Sequence, residues 1–146
     1  MIAEYFKNDD ELAALVRAFE ACEIHPAEFK HYQHLAVALW YVAHLPFEAA
    51  TEKMRSGIQR LANAYGKSGY HETITVFWLA IVHAFWANTT ADESIAAATN
   101  RLIAGCENKN LIYEYYSRER LNSVAAKTGW VEPDLQPLPL EQQLAD

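Results

Sequence analysis

A chain of 146 residues is the size of one domain with a sizeable core, and 51% apolar residues place it among globular proteins. Its formal net charge of −7 argues against a nucleic-acid partner, whose phosphates call for clustered Lys and Arg. Two cysteines, Cys22 and Cys106, are too few for a disulfide framework, and the acidic start MIAEYFKNDD is no secretory signal, so a cytoplasmic location is expected.

The first helix is predicted over roughly residues 9–22. Asn8 followed three residues later by Glu11 has the spacing of an N-terminal cap, and Leu12, Leu15, Val16 and Phe19 recur on one face. His25-Pro26 interrupts it, and a second helix follows over about 27–45, whose last turns, LAVALWYVAHL, carry no Asp, Glu, Lys or Arg. Pro46 stops that helix and starts a third, amphipathic and peripheral, with Phe47, Ala50, Met54, Ile58, Leu61 and Tyr65 in one stripe.

Gly66 ends the third helix, and the stretch YHETITVFWLAIVHAFW, residues 70–86, becomes almost wholly apolar after His71 and Glu72. A helix that is hydrophobic all round must be enclosed by others, so this one is read as the centre of the bundle. Its thirteen most apolar residues rise only about 20 Å, too short for a hydrocarbon core of about 30 Å, and no membrane partner is expected. Thr90 to Glu93 resembles a capping box opening a fifth helix to about Cys106. A last helix or kinked pair is expected over 111–127, with Ser117 as a cap inside it and Gly129 as its close. Pro133, Pro137 and Pro139 make residues 129–146 an extended, Pro-rich tail.

The expected fold is thus all-α: a single-domain bundle of five to six helices over residues 1–146, with two parallel inner helices. Short connections make the second and third helices antiparallel, and the third and fourth likewise. The second and fourth then run the same way, with His31, His34, His71 and Glu72 gathered at one end and Trp40 and Trp78 buried. Glu23, His25, Cys106, Glu107 and the run from Tyr113 to Tyr116 are delivered to the same end.

His31 and His34 are one turn apart on one helical face, which suits two ligands on one ion. With His71 they would make a three-imidazole zinc site open to water, whereas two imidazoles and a carboxylate would suit non-haem iron; Glu72 off the metal would serve as general base. The same residues also fit a metal-free polar pocket. Tyr116, Arg118 and Arg120 are candidates for holding a carboxylate or planar small molecule near that end. His44 and His83 fall in a separate layer about 18 Å along and are read as structural.

HETIT opens like the zinc-peptidase HExxH but has Thr75 where the second His belongs, and the paired ExxH motifs of ferritin-like di-iron proteins are lacking. Two functional classes fit: a protein that binds or transforms a small molecule at a His/Glu site with a divalent zinc or iron, or a homo-oligomeric scaffold with structural histidines. A homodimer is expected in either case, because helices apolar all round need cover and the alanines at 96–98 supply little.

Overall fold

The computed structural model describes residues 3–90 and 92–138, and among these the chain is all-α with no strand. In chain order the helices are α1 (Asp9–Glu20), α2 (His31–His44), α3 (Phe47–Ala64), α4 (Glu72–Ala87), α5 (Ile95–Cys106), α6 (Arg118–Leu121) and α7 (Val124–Thr128). Short 3-10 turns occupy Pro26–Glu28 and Lys109–Glu114.

Asn8 caps α1 as its sequence suggests, its Oδ1 accepting the Glu11 N–H at 3.0 Å, and Leu12, Val16 and Phe19 are buried. The helix stops two residues short of the expected end. Cys22 takes a left-handed φ of 59°, which lets the Glu23 N–H reach back to the Ala18 carbonyl. That conformation costs a non-glycine residue about 1–2 kcal/mol.

The second helix starts four residues later than expected. His25 Nδ1 accepts the Ala27 N–H and caps a separate turn, after which the chain extends through Phe29 and Lys30. This detour buries the Phe29 ring, which stacks on Phe19 at 5.0 Å. The hub of the bundle is α2, which packs on α1, α3, α4 and α5 and buries the run from Leu35 to Leu39 with Tyr41 and Val42. That corrects the expectation that α4 is the centre. Although α4 packs on α2, α3, α5 and α7, its Ile81, Phe85 and Trp86 remain partly exposed, and the Arg101 guanidinium lies 4.7 Å above the Phe85 ring.

Two contacts fix the directions. Phe47 at the start of α3 meets His83 late in α4, and Arg55 further along α3 meets Glu72 at the start of α4, so these helices are antiparallel. Since α2 turns into α3 at Leu45-Pro46, α2 and α4 run in the same sense, and their N-terminal halves face one another. Trp40 and Trp78 flank this packing only part-buried, not enclosed as expected.

Ser94 caps α5, its side chain accepting the Ala97 N–H. The expected capping box therefore does not open this helix; Glu93 instead pairs with Arg101 at 2.7 Å, and Ala91 lies outside the described residues. Buried Asn100 holds the N-terminal segment, accepting the Tyr5 and Phe6 N–H groups and donating to the Phe6 carbonyl. Ser117 caps α6. Gly129 closes α7 in an extended conformation, and 129–138 contain neither helix nor strand. Thr73 pins this segment to α4, donating to the Gly129 carbonyl and accepting the Val131 N–H. The rest of the expected tail, from Pro139, lies outside the described residues. Among those described, no helix is long and apolar enough to cross a membrane.

Candidate functional site

A cavity of about 480 Å³ opens at the end of the bundle where α2 and α4 begin. His31, His34, Leu35 and Ala38 of α2 face Ile74, Thr75, Trp78 and Leu79 of α4, with Met54 and Ile58 of α3 across from them. Phe29, Gly69, Tyr70 and His71 close one side, and Lys109, Asn110, Ile112 and Tyr113 of the second 3-10 turn close the other. Leu35, Ala38, Met54 and Leu79 are almost fully buried and form its floor, whereas Lys109 and Asn110 are exposed and form its rim. An apolar interior with a few polar groups, and a volume within the usual 300–1,000 Å³, is the common form of a small-molecule site.

The three histidines share this cavity, but their nitrogens are not equally free. A helix leaves its last carbonyls without intrahelical donors, and the histidines answer two of these. His31 Nε2 donates to the carbonyl of Cys106, the last residue of α5, at 2.9 Å; His71 Nε2 donates to that of Leu121, the last residue of α6, at 2.7 Å. His71 Nδ1 also accepts the Ile74 N–H and caps α4, so both of its ring nitrogens are committed within the fold. The His31 and Trp78 rings meet in a T-shaped pair with centroids 4.7 Å apart, and donation through Nε2 leaves the His31 Nδ1 as an acceptor. Among the described residues no group of three or more His, Cys, Asp or Glu side chains is placed to hold a metal ion.

Burial pushes the His31 pKa down; the Cys106 carbonyl opposes that shift and the charge of Lys109 reinforces it. His34, packed 4.1 Å from the Phe29 ring, is lowered to about 4 by burial and by the neighbouring His31. Both are therefore neutral near pH 7.

Glu72 does not line the cavity. Its carboxylate takes Arg55 Nε at 2.9 Å and Nη2 at 2.5 Å as a bidentate pair and accepts the Tyr70 hydroxyl at 2.6 Å. Hydrogen bonding from Arg55 holds its pKa below the ordinary carboxylate range, against burial, while burial and the bond to Glu72 push Tyr70 up to about 12. A carboxylate so engaged is a weak base. Tyr116 is fully buried and donates to the Val131 carbonyl; Arg120 Nε donates to the Glu132 carbonyl, and the Arg118 guanidinium lies 4.2 Å over the Tyr113 ring. None of these three lines the cavity, although Arg118 backs a residue that does.

Sequence reasoning did not find Lys109, Asn110 or Tyr70. The first two belong to a stretch that reads as a plain turn, and only the folding of that turn across the mouth brings them to α2 and α4. Compared with models of known families, with curated proteins and with solved structures, the chain matches none.

Proposed function

We propose that this protein binds a small molecule with an apolar body in the cavity between the N-terminal halves of α2 and α4. In this reading His31 and His34 are neutral hydrogen-bonding partners, not metal ligands. What supports it is one observation: a cavity of about 480 Å³ with a buried apolar floor and the exposed polar residues Lys109 and Asn110 in its lining. His71, Glu72, Tyr116, Arg118 and Arg120 serve as supports, since each is bonded to or stacked on another part of the fold. The test is methyl NMR on protein labelled at Met and Ile. An apolar fluorescent dye should shift Met54, Ile58, Ile74 and Ile112 together, and Ile74→Trp, which fills the space from a part-exposed position, should abolish the shifts while helicity is kept. Dye binding that leaves those four methyls unmoved would refute the reading.

A second reading is favoured by the partly exposed Ile81 and Trp86 on α4, surface that a second copy would cover. It is a homodimer, checked by light scattering at micromolar concentration. A dimer is compatible with the cavity reading, and a monomer would end the dimer alone.

A further inference from the structure

The cavity's rim carries one sign of charge. Among the described residues that line it, Lys109 supplies a positive charge and no Asp or Glu contributes. The acidic side chains close to Lys109 in sequence, Glu107 and Glu114, do not line the cavity, and no ion pair of Lys109 occurs among the described residues. Glu72, the acid nearest the cavity on α4, is neutralised by Arg55. Beside Lys109 stand Asn110, with a side-chain amide able to donate, and Tyr113, whose ring lies under the Arg118 guanidinium. His31 and His34, the titratable groups facing in from α2, are uncharged near pH 7 and bring no competing cation.

Resting on the cavity reading above, we propose that the ligand is an amphipathic carboxylate: an apolar chain or flat ring system on the floor of Leu35, Met54 and Leu79, and an anionic head at Lys109 and Asn110. Complementarity of charge is what selects the head. A chain of net charge −7 offers little general attraction to an anion, so discrimination falls on this local cation, within a screening length of about 8 Å. An ammonium head would meet Lys109 with like charge, and an alcohol would accept a hydrogen bond from it without the ion pair that a carboxylate adds.

The experiment compares decanoate, 1-decanol and decylamine, each below its aggregation threshold, by the same Met54 and Ile74 methyl shifts, with wild type and Lys109→Met. Lys109 is exposed, so its replacement leaves the core intact. Decanoate should bind about tenfold more tightly than decanol, decylamine should bind most weakly, and Lys109→Met should erase the preference for the acid, weakening decanoate far more than decanol. Lys109→Arg should retain it. Decanol binding as tightly as decanoate, or an acid preference that survives Lys109→Met, would overturn the carboxylate assignment and leave the apolar cavity standing. Unmoved methyls with all three compounds would overturn both.

Discussion

Gly57 and Phe19 occupy one another's space: a Cβ on Gly57 would stand 2.5 Å from Phe19 Cε2, inside any tolerable contact. Phe19 is fully buried and stacked on Phe29, whose other neighbour is the His34 ring, so it has nowhere to retreat without moving the cavity wall. Alanine in a helix interior normally gains about 1 kcal/mol over glycine. Here overpacking wins, and Gly57→Ala should destabilise by about 1–3 kcal/mol in urea unfolding. Its signature is a changed His34 ring shift by NMR, although residue 57 does not line the cavity. A stabilised variant would mean that Phe19 can yield.

Asn100 should be the costliest polar residue to remove. Its amide satisfies two backbone N–H groups and one carbonyl of the N-terminal segment, and the Phe6 bonds are buried. Asn100→Ala leaves those groups unpartnered, for a loss of about 2–3 kcal/mol. Hydrogen exchange should show the Phe6 amide opening faster than the core of α2. An unaltered Phe6 exchange rate would contradict this account.

The same accounting separates two roles for Glu72. If the carboxylate serves the Arg55 and Tyr70 contacts, Glu72→Gln removes a charge-assisted pair and lowers stability by about 1–2 kcal/mol, with ligand binding in the cavity unchanged within about twofold. Arg55→Gln should match it, and the double variant should cost less than the sum of the two. A stable Glu72→Gln protein with impaired ligand affinity would instead place this residue in the binding machinery.

What the sequence made legible followed from local chemistry. The caps at Asn8 and Ser117, the apolar run of α2 and the breaks at Pro26 and Pro46 are written in adjacent residues, and the helix directions that bring His31, His34 and His71 together follow from short connections. The roles of those histidines were hidden because they depend on carbonyls far along the chain, at Cys106 and Leu121. His71 as an N-cap was equally hidden, since caps are usually Ser, Thr, Asp or Asn. Arg55 falls off the apolar stripe of the third helix, and nothing in its neighbourhood signals a partner seventeen positions away. The all-round apolar character of α4 suggested full enclosure, yet α4 divides its buried side chains between the α2 cluster, with Leu79 and Val82, and the side of Tyr115 and Tyr116, with Phe77, and leaves Trp86 partly in water. Periodicity ranks the faces of a helix but does not say which of two apolar helices is the hub.

The pH dependence of stability follows from His34. Unfolded, it takes up a proton as pH falls through about 6.5; folded, it resists until about 4. Above the unfolded value both states are neutral and the fold keeps its full stability. Between the two values the unfolded state binds the extra proton, so stability falls with falling pH, at no more than about 1.4 kcal/mol per pH unit for each histidine. Over that window His34 accounts for up to about 3 kcal/mol, and His31, shifted in the same direction, adds to it. Glu72 enters at lower pH, because the hydrogen bond from Arg55 holds its pKa below the ordinary carboxylate range and it stays ionised through most of this window. His34→Phe keeps an aromatic ring against Phe29 and removes the titration. Urea unfolding at about pH 7.5, 6 and 5 should give a visibly flatter profile for His34→Phe than for wild type, with the two proteins closest at the top of the range. Parallel profiles would show that His34 is hydrated in the folded state and would remove it from the neutral wall of the cavity.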